Sequence, residues 1–200
     1  PTRIGDGDED QWGGSLVCHR MLFNADGTID LKLPDGIDKK FTTLKKTVLI
    51  DKSGKAVKKE DSYVLSDVAS VSFPRLDKTC KIEATVKATG NDDAFGFAFG
   101  ACDDKTEVYS IRFDLKNKQL VMSKDDLTRG TTPTQTNVAL TVPADKLFKV
   151  KIVAEKSVCV MYVNDKIAFS NRIDKMPKNP WAIFTDKGTE ISFSDIKVYE

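Results

Sequence analysis

Apolar and polar side chains alternate along most of this chain, with the period of two that is typical of a β-strand with one face buried and one face in water. Through residues 80–88, cysteine, isoleucine, alanine and valine alternate with lysine, glutamate and threonine. Further along, Phe95, Phe97 and Phe99 alternate with glycine and alanine, so the three rings share one face of a strand. The pattern predicts a series of half-buried strands.

Short polar segments separate these alternating runs. The segments at 116–118, 155–157 and 164–165 each lie between two apolar runs, which predicts consecutive antiparallel hairpins. Ser53 and Gly54 are expected to form the turn of another hairpin.

The last apolar run changes phase between Phe193 and Ile196, which predicts a β-bulge near Ser194 and Asp195.

No segment of ten or more residues shows helical periodicity with caps, so parallel α/β folds, which need crossover helices, are excluded. The sequence therefore predicts an all-β fold, a two-sheet antiparallel β-sandwich of jelly-roll or concanavalin/lectin-like topology. We expect an irregular acidic lead over residues 1–12 and a single sandwich domain over residues 13–200.

Charge is balanced, with 31 Lys+Arg against 30 Asp+Glu and a formal net charge of +1. This balance predicts no nucleic-acid partner and no membrane partner, and no apolar run approaches the ~20 residues that cross a bilayer. Residues 39–59 contain eight lysines and one acid, a bias that fits a solvated strand face. Because the chain starts at Pro1 without a basic and apolar leader, we expect a processed protein or a piece of a longer one.

The four cysteines, Cys18, Cys80, Cys102 and Cys159, are widely spaced and form no C-x-x-C motif. Neither a zinc site nor a redox motif is predicted, and disulfides are permitted without being required. Since Cys18, Cys80 and Cys159 fall within runs that look like strands, we expect their thiols to behave as small buried apolar groups.

Catalytic and metal-binding patterns are weak. His19 is the one histidine, and its place in an alternating run favours a structural role over a nucleophilic triad. The paired acids of sandwich glycosidases typically occur as E-x-D-x-x-E, which is absent from the sequence. Asp6, Asp8 and Asp10 have a spacing that could hold one hard cation, but Gln11 stands where an EF-hand loop needs glycine, so a solvated lead is favoured. No metal and no cofactor are expected.

Two tryptophans, Trp12 and Trp181, are candidates for stacking on a sugar ring or for packing at a domain interface. Core burial is the favoured interpretation for Trp181, which opens a strand. Trp12 precedes two glycines and follows the acidic lead, so its ring is expected to cover a sheet edge or a neighbouring domain.

A family resemblance rests on both ends of the chain. The stretch Trp12 to Leu22, W-G-G-S-L-V-C-H-R-M-L, with the D-G-T turn at 26–28 and L-P at 33–34, resembles the start of the C-terminal β-sandwich module of glycoside hydrolase family 32, the invertases, inulinases and levanases. F-S-N-R-I at 169–173, W-A-I-F at 181–184 and residues 191–199 are similar to its closing strands. His19 and Arg20, within the first motif, join the two tryptophans as candidate carbohydrate-binding or domain-interface residues.

In that family the chemistry belongs to an N-terminal five-bladed propeller, with an aspartate in W-M-N-D-P-N, an aspartate in R-D-P and a glutamate in an E-C motif. None of the three motifs occurs in this sequence. The resemblance therefore implies a non-catalytic accessory domain that stabilises a catalytic propeller in the same polypeptide, with an oligo- or polysaccharide as a further partner and an extracytoplasmic location. A free-standing carbohydrate-binding module and an independent sandwich glycosidase remain the alternatives.

Overall fold

The computed structural model describes residues 17–76, 79–100, 108–126, 131–155, 158–172, 180–187 and 189–200. Within this part the chain is almost entirely β-strand, with one short helix, α1. The elements are β1 (Arg20–Phe23), β2 (Ile29–Lys32), α1 (Asp35–Asp38), β3 (Leu44–Lys45), β4 (Asp51–Lys59), β5 (Ser62–Arg75), β6 (Thr79–Ala88), β7 (Ala94–Phe99), β8 (Val108–Asp114), β9 (Gln119–Asp126), β10 (Thr131–Ala139), β11 (Leu147–Glu155), β12 (Val158–Val163), β13 (Ile167–Arg172), β14 (Pro180–Lys187) and β15 (Ile191–Tyr199).

The strands pair antiparallel and form a β-sandwich of two sheets, as the sequence predicts. Sheet I has the strand order β10-β9-β8-β7-β14-β5, and sheet II has the order β5-β15-β6-β11-β12-β13. Strand β4 lies along β5 at the edge, and β3 pairs with the end of β15. The hairpin of β1 and β2 forms a small sheet of its own.

Strand β5 belongs to both sheets. Its residues 69–75 pair with β14, and its residues 62–65 pair with β15. Between them Asp67 has a positive φ of 53°, which breaks the regular extended backbone and lets one long strand turn from one sheet into the other. Hydrogen bonding is therefore continuous from sheet I to sheet II along this corner.

Aromatic rings from both sheets meet in the core. Phe95 and Phe113 of sheet I stack with their centroids 5.0 Å apart, and Phe148 of sheet II lies 5.2 Å from Phe113. Phe97 meets Phe193 of sheet II edge to face at 5.9 Å. These rings are fully buried, so the alternation in the sequence correctly identified the buried face of β7.

The expected hairpins and the bulge in the last strand are confirmed. Strands β8 and β9 pair across the turn at 116–118, and β12 and β13 pair across Asn164 and Asp165, both of which have positive φ. The register of β15 against β6 shifts between Ser194 and Lys197, where Asp195 has a φ of 52°.

The expected turn at Ser53 and Gly54 is wrong. Strand β4 continues through both residues, and the chain reverses at Glu60, whose φ is 48°. Gly54 has a φ of 65°, and a Cβ built there would lie 2.1 Å from the carbonyl oxygen of Val68. The glycine is therefore needed for a bulge opposite the corner of β5. The sequence suggested a turn because a glycine with positive φ is used in both bulges and turns.

The expectation that Cys18 is buried is also wrong, because Cys18 precedes β1 and is exposed. Cys80 and Cys159 are buried and form no disulfide within the described residues, as predicted, and Cys102 lies outside the described residues. In the part of the chain that the structure describes, no helix has the length and apolar character of a membrane span.

Candidate functional site

The segment that runs from residue 17 to residue 41 covers the outer face of sheet II. It contributes Leu33 to a second, smaller apolar cluster with Val160 and Tyr162, which point away from the main core on β12. The remaining apolar members around this cluster are Val17, Ile37, Val153, Val158 and Ala168. Strand β12 is therefore buried on both faces, which explains its unbroken apolar run from Val158 to Val163.

His19 anchors this segment to the sheet. Its Nδ1 lies 3.1 Å from the hydroxyl of Tyr162, and its Nε2 lies 3.1 Å from the hydroxyl of Ser170. Burial lowers the pKa of His19 below its ordinary value, so the ring is neutral at pH 7. The structural role that the sequence favours for His19 agrees with these contacts.

Lys81 fixes helix α1 on the same face. Lys81 is 5% exposed, and its ammonium group lies 2.5 Å from Oδ1 of Asp38 and 2.8 Å from Oε1 of Glu83. The rings of Tyr199 and Phe41 lie 4.6 Å and 5.8 Å from the same nitrogen. A buried ammonium needs such partners, because an unpaired charge in this position would strongly destabilise the fold.

Arg20 forms an ion pair with Asp35 at the base of the hairpin of β1 and β2. A backbone hydrogen bond of 2.9 Å from the N–H of Leu31 to the carbonyl of Lys166 fixes the hairpin beside β13. Arg20 therefore has an internal partner and helps to hold the hairpin in place.

One face of this hairpin is apolar and extends beyond the sheet that it covers. Met21 pairs with Leu31, and Phe23 pairs with Ile29, so the four side chains share a face. Leu33, next to the sheet, is 4% exposed, whereas Met21, Phe23 and Ile29 are 50%, 77% and 44% exposed. We call Met21, Phe23 and Ile29 the hairpin patch. Sequence reasoning did not single out the patch, although apolar residues on both strands of a two-stranded hairpin were the available signal.

An acidic cleft of about 690 Å³ lies where the corner of β5, the loop after β6 and the turn after β14 meet. Its lining includes Asp67, Asp92, Asp93 and Asp186. Asp93 is 3% exposed and accepts hydrogen bonds from the N–H groups of Gly90 and Thr189 at 2.7 and 3.3 Å. Its carboxylate therefore stabilises the loop, as expected for aspartate in a turn.

Three carboxyl groups among the described residues have pKa values below the ordinary value. Partial burial raises the pKa of Asp38 and Asp114, but hydrogen bonds from Lys81 and Asn117 outweigh it, and both pKa values lie below the ordinary value. A hydrogen bond from Thr28 lowers the pKa of Asp26. A general acid needs the opposite shift, so these three aspartates are unsuited to that role. The described residues contain no group of three or more His, Cys, Asp or Glu side chains that could hold a metal ion.

Trp181, another candidate of the sequence analysis, lies in the main core. Trp181 is 2% exposed and stacks on Phe73 at a centroid distance of 4.5 Å, which agrees with the core burial that the sequence favours. Trp12 and the acidic residues Asp6, Asp8 and Asp10 lie outside the described residues.

The family model for the BT1760-like C-terminal domain of glycoside hydrolase family 32 matches residues 27–198. A comparison with curated proteins finds no match to this sequence.

Solved structures share the fold at low sequence identity. A β-fructofuranosidase from Aspergillus kawachii aligns with a TM-score of 0.66 at 15% identity, over 86% of this chain and 30% of the enzyme. The carbohydrate-binding module CBM66 from Bacillus subtilis aligns with a TM-score of 0.61 at 11% identity, over 80% of this chain and 99% of the module. The galectin LEC-6 from Caenorhabditis elegans aligns with a TM-score of 0.54 at 8% identity, over 72% of this chain and 99% of the galectin. The chain thus spans about a third of the length of the enzyme and nearly the whole of each small module.

Proposed function

Because the chain belongs to the family of BT1760-like C-terminal domains of glycoside hydrolase family 32, we propose that it is a non-catalytic accessory domain of a fructan-directed glycoside hydrolase. In this proposal it packs against a catalytic propeller of the same polypeptide and stabilises it. The observation that supports the proposal most strongly is the hairpin patch, an apolar surface without a covering element among the described residues. Such a surface on a rigid support is typical of a domain interface.

The contacts at the base of the hairpin support this role. The Arg20 to Asp35 ion pair and the hydrogen bond between Leu31 and Lys166 hold the hairpin on sheet II, so the patch is presented in a fixed geometry. A preorganised apolar surface loses little conformational entropy when a second domain covers it. Phe23, with the largest exposed fraction of the three side chains, is the expected centre of the interface.

The first test is activity. The 200-residue chain incubated with sucrose, inulin or levan is expected to release no fructose. Turnover that disappears when an acid of this chain is replaced would contradict the proposal and support an independent sandwich glycosidase.

The second test is domain stability in the complete polypeptide. Phe23→Ser is expected to lower its melting temperature and to leave the melting temperature of the 200-residue chain unchanged. Val68→Ser is the matched control, because Val68 is 73% exposed and lies at the corner of β5. If Phe23→Ser and Val68→Ser have equal effects on the complete polypeptide, the hairpin patch is not the interface. Binding of fructo-oligosaccharides by the 200-residue chain that Phe23→Ser abolishes would support the carbohydrate-binding module instead.

A further inference from the structure

A small pocket of about 170 Å³ lies where β5 ends and β14 begins. Its apolar lining residues are Pro74, Leu76, Trp181 and Val198. Its polar and charged lining residues are Lys45, Lys46, Thr47, Arg75 and Glu200. Sites for drug-sized ligands begin near 300 Å³, so this pocket suits a compact molecule that carries both apolar and polar groups.

Among the described residues, the charges around this pocket are predominantly positive. Glu200 is the one acid among the lining residues that the structure describes, and its carboxylate forms an ion pair with Lys45. Lys46 and Arg75 have no carboxylate partner within the described residues. Two cations that have no such partner among the described residues and lie beside apolar groups attract an anion, because the low dielectric constant of the apolar groups strengthens the field in the pocket.

The walls are held by regular structure. Lys45 pairs with Val198 between β3 and β15, and Arg75 pairs with Pro180 between β5 and β14. The indole of Trp181 is fixed by its stack on Phe73. The backbone that carries the charged residues and the indole of Trp181 therefore keep their relative positions before any ligand arrives, which reduces the entropy lost on binding.

We propose that this pocket binds an acidic sugar residue, a single ring that carries a carboxylate or a sulfate group. The guanidinium of Arg75 matches the two oxygens of such a group with its planar fork, and Lys46 adds a second positive charge. The C–H face of the sugar lies against Pro74 and Leu76, which are more exposed than the buried Trp181 and Val198. None of the lining residues belongs to the hairpin patch, so the site is independent of the proposed domain interface.

The test compares three sugars on the 15N-labelled 200-residue chain by nuclear magnetic resonance at constant ionic strength. Galacturonate and galactose 6-sulfate represent the two anionic groups, and galactose is the neutral control. Both acidic sugars, or one of them, are expected to shift the indole N–H of Trp181 and the side-chain N–H of Arg75 saturably, while galactose leaves them unchanged. The indole signals are assigned with a Trp12→Phe variant. Raising the salt concentration is expected to weaken the binding.

Variants separate a built site from general attraction. Arg75→Gln and Lys46→Gln are each expected to weaken binding of the acidic sugar by about fivefold or more, the effect of losing one charge-assisted hydrogen bond. Lys52→Gln makes the same change of charge on β4 outside the pocket and is expected to leave the affinity unchanged. Unchanged melting temperatures show that the variants are folded. The proposal is overturned if neither acidic sugar gives a saturable shift, if galactose binds equally, or if Lys52→Gln weakens binding as much as Arg75→Gln.

Discussion

His19 and Tyr162, which are 143 positions apart in the sequence, meet edge to face with their ring centroids 5.7 Å apart. The contact connects the segment before β1 to the outer face of β12, and it is one of the points where the N-terminal segment is fixed to the sandwich. Burial raises the pKa of Tyr162 to about 12, with a smaller contribution from Cys18, so the phenol stays protonated at neutral pH and the hydroxyl can bond the imidazole.

Removing the hydroxyl from this pair should destabilise the protein. Tyr162→Phe is expected to lower the free energy of unfolding by about 1 kcal/mol, the typical value for one buried hydrogen bond, measured by urea denaturation. Tyr63→Phe is the matched control, since Tyr63 is 8% exposed and its hydroxyl has no partner among the described residues. Equal losses in the two variants would show that the contact with His19 is not stabilising.

The ion pair between Asp38 and Lys81 should make stability depend on pH in the acid range. Asp38→Asn is expected to lower the free energy of unfolding by about 2 kcal/mol at neutral pH, because it leaves a buried ammonium with one carboxylate fewer. Although partial burial raises the pKa of Asp38, the two lysines that bond it lower that pKa overall. The difference between wild type and variant is therefore fully present above the ordinary pKa of 3.8 and disappears as the pH falls through the lowered pKa.

Thermal unfolding of both proteins across this pH range measures the difference. Asp67→Asn is the control, because the ion pair of Asp67 with Lys55 is exposed and its loss should matter little. A difference between wild type and Asp38→Asn that stays constant down to the acid limit would contradict the prediction.

The glycine in β7 should be intolerant of any side chain. A Cβ at Gly96 would lie 2.0 Å from the carbonyl oxygen of Ile111, so one of the two strands must shift. Gly96→Ala is expected to cost about 2 to 3 kcal/mol of stability, measured by chemical denaturation. Gly36→Ala meets nothing within 4 Å and should be neutral or slightly stabilising. The prediction fails if both variants unfold at the same denaturant concentration.

The thiols should differ sharply in reactivity. Burial raises the pKa of Cys159 to about 12, with Cys80 adding to the shift, so its thiolate is negligible at neutral pH. A thiol reagent followed by peptide mapping is expected to label the exposed Cys18 in the native protein and Cys80 and Cys159 after unfolding only. The melting temperature should not respond to a reducing agent. Native labelling of Cys159, or a large loss of melting temperature on reduction, would contradict this assignment.

Two candidate residues could be judged from their place in the sequence. It favoured a buried Trp181, because this residue opens a strand, and the structure places the ring in the core. It favoured a structural His19, because this residue lies in an alternating run, and the contact of His19 with Tyr162 agrees with that role. It did not identify the hairpin patch or the buried Lys81. Whether an apolar side chain is exposed or a lysine is buried depends on which elements pack over it, and those elements come from distant parts of the chain.

The sequence by itself determined the fold class, because the two-residue period of a strand is a local property and each turn lies between the strands that it joins. It also determined which face of β7 is buried, since the three phenylalanines share one phase. The tertiary structure alone decided that β5 serves both sheets and that Gly54 forms a bulge instead of a turn. It likewise decided that the segment of His19 covers sheet II. A residue with positive φ fits either a bulge or a turn, and an apolar face can pack on several surfaces, so the choice is made only when distant strands pack together.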